Sequence, residues 1–268
     1  MINVIICGLG KMGKAVANLA AASQDLHIFG AIEAPDSPLI GRQVCKLVGR
    51  DSDDSSATVS KWIDNWHSAD PLVITSFATP EATMEHALMS CLHLTPFVAG
   101  TTGLSAEQLA QLKEYAKDIP IVYDSNFSLG INVMYKILFD LANLLPDWDV
   151  EIVEKHHNQK KDAPSGTAIR LANTVATARC QKPEDAKVYS RYGKDCQRQP
   201  GQIGVQALRA GDIIGEHEIT IAGHGQRIEL NHRAHSRDNF ASGVIKAVRW
   251  VVGQPDGFYN MQDVLGLS

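Results

Sequence analysis

The stretch from residue 4 to residue 22 decides most of what this chain can fold into. A β-branched run, VIIC at 4–7, is followed at once by Gly8-Leu9-Gly10-Lys11-Met12-Gly13, and apolar residues then recur at helical spacing over 11–22. A Gly-x-Gly-x-x-Gly loop set between a strand and a helix has the context that a bare match to the pattern lacks. Gly8 permits the tight turn, Gly10 lets a bulky anion approach the backbone, and Gly13 lets the helix sit against the strand. The helix start adds free N–H groups and a partial positive charge, which favour a phosphate. A dinucleotide on residues 8–13 is the reading. Glu33 stands 20 residues after Gly13, at the end of a second β-branched run, where its carboxylate can accept from the adenosine ribose hydroxyls. Ala34 follows it, so no arginine is there to meet a 2′-phosphate, which the carboxylate would also repel. NADH is therefore favoured, while Lys11 in the loop leaves NADPH usable.

The rest of the first half keeps the same rhythm. Strands are expected over 4–7, 27–32, 72–77, 96–99 and 121–123, and helices over 11–22, 80–92 and 105–117, the last opening on the capping box Ser105-Ala106-Glu107-Gln108. Strands alternating with helices predict an α/β, Rossmann-type doubly wound parallel sheet. An amphipathic stretch over 132–145 ends at Pro146, and a strand over 149–155 and a helix over 167–180 follow. Strands over 204–208, 216–222 and 226–233, separated by glycine turns, complete an α+β domain with a mostly antiparallel sheet. A helix over 239–252 closes the chain. The expected division is a dinucleotide-binding domain over 1–126, to which 238–268 returns, and a substrate-binding and tetramerisation domain over 127–237.

Composition removes other classes. Twenty-five Lys+Arg against 30 Asp+Glu leave a net charge of −5, too acidic to gather nucleic acid, and 44% hydrophobic residues argue against disorder. The five cysteines are odd in number and contain no Cys-x-x-Cys, so free thiols are expected rather than a disulfide framework or structural zinc. No apolar run approaches a membrane span, and the first residues read as a strand rather than a signal peptide. A cytoplasmic protein is expected. His232 and His235 are more simply rim histidines than metal ligands, and no metal is assigned. Trp62 and Trp66, four apart, fit one face of a helix.

The most informative segment is EKHHNQKKDAPSGTA at 154–168. Adjacent histidines at a strand end point to opposite faces, which suits separate roles better than one shared metal. Imidazole is fitted to proton transfer near neutrality. Ser165, Gly166 and Thr167 open a helix and give a cluster of N–H groups and hydroxyls on which a carboxylate can sit, and Lys160 adds a cation. On residue chemistry alone, a solvated basic loop with a helix cap stands beside this reading. The segment closely resembles the signature of the dihydrodipicolinate (4-hydroxy-tetrahydrodipicolinate) reductases of diaminopimelate and lysine biosynthesis. GTTG at 100–103, NFSLGIN at 126–132 and RAGDIIGEH at 209–217 resemble the same family in the same order.

That resemblance implies a two-domain reductase that forms a homotetramer through its substrate-domain sheets. Its substrate is a cyclic conjugated imine dicarboxylate, formed when a 4-hydroxyl leaves as water, and reduced by hydride from NADH or NADPH. It implies His156 as acid/base and Lys160 as catalytic lysine, with His157 and the Gly166-Thr167 pair on the substrate carboxylates. Gly100, Thr101 and Thr102, with Asp124, Ser125, Asn126 and Phe127, would line the nicotinamide end of the cofactor site. The chain departs from the family in a glycine loop one residue shorter than is common and in Ala34 where an arginine is common. A non-catalytic NAD(P)-binding paralogue would be expected to have replaced His156 or Lys160, and another two-domain Rossmann dehydrogenase would share only the glycine loop. The roles of Arg209 and Arg237 stay open between ion pairing and support of the site.

Overall fold

Residues 1–50, 57–63 and 71–267 are described in a computed structural model of the chain. In chain order the elements begin with β1 (Ile2–Cys7), α1 (Lys11–Ala22), β2 (Leu26–Ile32), α2 (Val44–Leu47), β3 (Val59–Ser60), β4 (Leu72–Ser76), α3 (Pro80–Leu92), β5 (Phe97–Ala99), α4 (Ala106–Tyr115) and β6 (Pro120–Tyr123). They continue with α5 (Leu129–Leu144), β7 (Asp149–His156), α6 (Gly166–Ala178), α7 (Pro183–Ala186), β8 (Lys187–Val188), β9 (Ile203–Arg209), β10 (Glu216–Gly223) and β11 (Gln226–Arg233). The last are α8 (Asp238–Val251), β12 (Gly257–Tyr259) and α9 (Met261–Leu265). The chain divides into two units, one of Met1–Leu129 with Arg237–Ser268 and one of Gly130–Ser236.

In the first unit the strands lie in the order β12-β6-β5-β4-β1-β2-β3, every pairing parallel. The chain winds outward from β1 in both directions, which leaves a crevice at the C-terminal ends of β1 and β4. Both faces of the sheet are covered, so its strands read as continuous apolar runs. Val4, Ile6, Val73 and Val98 meet Val16, Ala17 and Ala20 of α1 and Val244 and Val248 of α8 on one side. Ile5, Cys7, Ile74 and Phe97 meet Ala87 and Leu112 on the other. The expected capping box opens α4, with Ser105 and Gln108 bonding reciprocally.

The second unit holds a sheet in the order β11-β10-β7-β9-β8. Its long β11–β10 and β10–β7 pairings are antiparallel, while β7–β9 and β9–β8 are parallel, so the sheet is mixed. Val150, Ile152, Val205, Ile219 and Ile221 pack with Leu138 of α5 and Leu171 and Val175 of α6. Along β7 the inward positions run Val150, Ile152, Glu154, all fully buried. A glutamate thus occupies a place where the pattern calls for an aliphatic side chain.

The short elements α2, β3, α7, β8, β12 and α9 were not expected from the sequence. Trp66 lies outside the described residues, and Trp62 follows β3 in irregular chain. Among the described residues, no helix is long and apolar enough to cross a membrane.

Candidate active site

The nominated residues fall into two groups, one in each unit. In the first unit, Gly8 has φ +86°, and a Cβ there would lie 2.9 Å from the Phe77 carbonyl oxygen. A Cβ on Gly13 would lie 1.8 Å from the Gly8 carbonyl oxygen, so this position admits only hydrogen. A Cβ on Gly10, by contrast, meets nothing within 4 Å. Gly10 is also the N-cap of α1, and no side chain caps that helix, so its first N–H groups stay available for a ligand. Leu9 is buried, and its N–H donates a hydrogen bond to the Glu33 carboxylate, which ties the loop to the end of β2.

A cavity of about 570 Å³ opens beside this loop, lined by Gly8, Gly10, Glu33, Ala34, Lys61 and His86 among others. Its glycine floor, uncapped helix and carboxylate fit a dinucleotide. Lys61 was not anticipated. It lies far from Glu33 in sequence, but Ile32 and Ser60 are register partners, and Glu33 N–H donates to Ser60 O at 3.0 Å. Glu33 and Lys61 are the residues that follow, and only the sheet pairing makes them neighbours. His86 was likewise missed, and burial pushes its imidazole down to about 4.

A polar chain runs behind the cavity. Ser76 Oγ lies 3.0 Å from His86 Nδ1 and 3.1 Å from Thr83 Oγ1. Thr83 Oγ1 lies 2.6 Å from Thr101 Oγ1, and Thr101 in turn donates to Ala78 O at 3.3 Å. Thr101 is thus a buried link, while Thr102 is exposed and a Cβ on Gly100 would strike the Phe77 ring at 2.4 Å. Asp124 accepts from the N–H groups of Asn126 and Met261, Asn126 accepts from Ser128 N–H, and Phe127 packs edge-on against Phe77. These side chains shape their loop from inside, and Ser125 is the exposed one. Cys7 is buried, and burial followed by the nearby Glu33 charge pushes its thiol up, consistent with a small apolar core residue. Arg237 stands at the N-cap of α8.

In the second unit β7 ends on His156. Its Nδ1 lies 2.6 Å from Glu154 Oε2, two residues back on the same face. Arg209, at the end of the paired strand β9, donates to both oxygens of Glu154 at 2.9 and 2.8 Å. Ser165 N–H donates to Glu154 Oε1 at 3.0 Å. Burial works against the charge of Glu154, but the bonds from His156, Arg209 and Ser165 overcome it and hold the carboxyl down at about 2. Glu154 is therefore ionised and accepts only, so the Nδ1 of His156 carries a hydrogen and Nε2 is the nitrogen left outside this bond. A Cβ on Gly215 would lie 3.1 Å from that Nε2, so glycine leaves it uncovered.

Ser165 caps α6 by accepting from Ala168 N–H at 3.2 Å, and its hydroxyl also meets His217 Nε2 at 3.2 Å. Its polar groups thus build the frame, while Gly166 is exposed and Thr167 partly so at the first helical positions. His217 was missed by sequence. Burial first, and the nearby His156, push it down to about 3, so it stands neutral with its ring edge-on to His156 at 5.6 Å. Lys160 Nζ is held by the exposed Asp162 at 2.8 and 2.9 Å, and His157 lies on the same loop. Arg209, left open by sequence, is an ion-pair partner that also donates to Asp162 O at 2.7 Å. Among the described residues no cluster of three or more His, Cys, Asp or Glu could hold a metal ion.

Comparison with known proteins agrees over both units. Residues 2–127 match the family described as dihydrodipicolinate reductase, N-terminus, and residues 130–265 match dihydrodipicolinate reductase, C-terminus. The 4-hydroxy-tetrahydrodipicolinate reductase of Syntrophus aciditrophicus is 42% identical over 264 residues, 98% of this chain and 97% of that protein. The protein of the same name from Desulfotalea psychrophila is 43% identical over 270 residues, 100% of this chain and 99% of that protein. Among solved structures, a dipicolinate-bound dihydrodipicolinate reductase from Paenisporosarcina sp. TG-14 superposes with TM-score 0.77 at 26% identity, covering 98% of each chain.

Proposed function

The chain belongs to the dihydrodipicolinate reductase family, and from that premise we propose that it reduces 4-hydroxy-tetrahydrodipicolinate to tetrahydrodipicolinate in diaminopimelate and lysine biosynthesis. Substrate, NAD(P)H and one proton are consumed, and tetrahydrodipicolinate, NAD(P)⁺ and water are formed. At the level of residues, the observation that carries the reading is His156 at the end of β7. Its Nδ1 is fixed on Glu154 and its Nε2 is left free beside Gly215.

Loss of the 4-hydroxyl with a ring hydrogen as water leaves an imine conjugated with a ring C=C. A nicotinamide cofactor held by Glu33 and the glycine loop would supply the hydride that ring C4 takes up. The π pair displaced toward the imine leaves an enamine, and His156 delivers the proton it needs from Nε2, a role typically worth ~10²- to 10⁴-fold. The two substrate carboxylates are held by Lys160, which exchanges Asp162 for the ligand, by His157, and by the N–H groups of Gly166 and Thr167. Glu33 and the loop from Gly8 to Gly13 hold the cofactor. NADH is favoured because a carboxylate faces the ribose and Ala34 offers no cation. The protein acts in the cytoplasm, which suits its free cysteines, and assembles as a homotetramer through the mixed sheet, whose outermost strand β11 is largely exposed.

The test is loss of reduced-nicotinamide absorbance, with substrate generated in place from pyruvate and aspartate semialdehyde by its synthase. Oxidation that requires the whole generating system is expected, with NADH ahead of NADPH. Nucleotide binding without oxidation would overturn the reading. His156→Ala should cost more than about tenfold in turnover with cofactor affinity unchanged.

A further inference from the structure

Glu154 has no part in the reaction as written, yet it is the best-connected side chain of the second unit. It is fully buried at the inward position that follows Val150 and Ile152, and its two oxygens take four N–H donors from three separate segments. Oε2 serves His156 and Arg209, and Oε1 serves Arg209 and Ser165. A carboxylate that only neutralised Arg209 would not need to lie 2.6 Å from the imidazole of His156. We propose that Glu154 is a positioning residue for the proton transfer: it fixes the ring and tautomer of His156 so that Nε2 is the donating nitrogen, and through Ser165 it sets the start of α6 in register with that donor. This rests on the reading of His156 as the proton donor.

The surroundings fit that division of labour. The charged and titratable groups around His156 are Glu154 on its own strand, Arg209 at the end of β9, His217 on β10, and Lys160 with Asp162 on the following loop. His217 is neutral and Lys160 is paired with Asp162, so Glu154 is the anion in direct contact with the ring. Arg209 helps to keep Glu154 ionised in spite of burial, so the carboxylate accepts from the ring of His156 and cannot donate to it.

The experiment uses the full chain and compares Glu154→Gln, His156→Ala and the double variant. Glu154→Gln is expected to lower kcat on the order of 10- to 100-fold, as loss of a histidine-orienting carboxylate does, with KM and NADH affinity changed less than about threefold. The ring of His156 should also lose its fixed tautomer, read as a larger share protonated at Nε2 in nitrogen-15 spectra of histidine-labelled Glu154→Gln. In the His156→Ala background the same change should cost less than about twofold. An unchanged tautomer share, or an equal cost in both backgrounds, would overturn the positioning role. His156→Ala retaining more than about a tenth of wild-type turnover would instead remove the donor reading on which the proposal rests. If Glu154→Gln does not fold, nitrogen-15 spectra of histidine-labelled wild-type protein decide. Neutral His156 protonated at Nδ1 is expected, and a population mainly protonated at Nε2 would refute the proposal.

Discussion

Two glycines of one loop should fail in opposite ways. A methyl group at residue 13 would lie 1.8 Å from the Gly8 carbonyl oxygen, about 1.6 Å inside ordinary contact, and the obstacle is backbone that cannot swing aside. Relief requires α1 to lift from β1, along the line where Val16, Ala17 and Ala20 are fully buried. With backbone as the obstacle the cost lies at the upper end of the range for overpacking, about 2–3 kcal/mol, and alanine's better helix propensity returns about 1. Gly13→Ala should therefore lose roughly 1–2 kcal/mol net, a fall of about 2–8 °C in melting temperature. At residue 10 the methyl meets nothing within 4 Å and the backbone has φ −66°, so Gly10→Ala should melt within about 0.5 kcal/mol of wild type. The same methyl stands on the open wall of the cavity and keeps a phosphate off the N–H groups. Loss of one charge-assisted hydrogen bond, about 1.5–3 kcal/mol, weakens NADH binding ~10- to 150-fold. Differential scanning fluorimetry and NADH titration of both variants suffice. A stable Gly13→Ala, or a Gly10→Ala that binds NADH within about twofold of wild type, would refute the separation of roles.

Lys61→Glu should lower kcat/KM for NADPH on the order of 5- to 10-fold while leaving NADH within about twofold, and Ala34→Arg should move the ratio the other way. Unchanged ratios in both would place selectivity elsewhere, with Lys11 next. Asp162→Asn frees Lys160 from an exposed pair worth about 0.2–1 kcal/mol, so KM for the cyclic substrate should fall up to about fivefold, and a rise in KM would show that Asp162 helps to place the lysine. The carboxyl of Glu154 goes from 4.5 in the open chain to about 2 when folded, so it contributes on the order of 3 kcal/mol of stability above pH 4.5 that is lost as pH falls toward 2. Urea unfolding across that range should show a shallower acid slope in Glu154→Gln than in wild type, and equal slopes would contradict the assignment.

What could be read in the sequence was whatever one segment specifies alone. The strand, glycine loop and helix from Ile2 to Ala22 carry their own period and their own punctuation, and so does the capping box at Ser105. The two-residue strand β3 and the three-residue strand β12 carry neither, since pairing with β2 and β6 makes them strands at all. The site divides in the same way. His156, Lys160 and the Ser165 helix start sit within one contiguous segment and could be picked out by residue type. Glu154 reads in sequence as one more acidic residue of an alternating strand. Its importance comes from Arg209, 55 residues away, and His217 and Lys61 are likewise brought to their places only by strand pairing.

The hydroxyl chain behind the cofactor cavity has a direction. A carbonyl can only accept, so the single hydrogen of the Thr101 hydroxyl is committed to Ala78 O. Thr83 must then donate to Thr101, Ser76 to Thr83, and His86 Nδ1–H to Ser76, if every contact is to be satisfied at once. The orientation set at the carbonyl is thereby handed back, bond by bond, to the ring that lines the cavity. Neutral His86 presents a lone pair at Nε2, a wall that recognises an amino or hydroxyl hydrogen and offers a phosphate nothing.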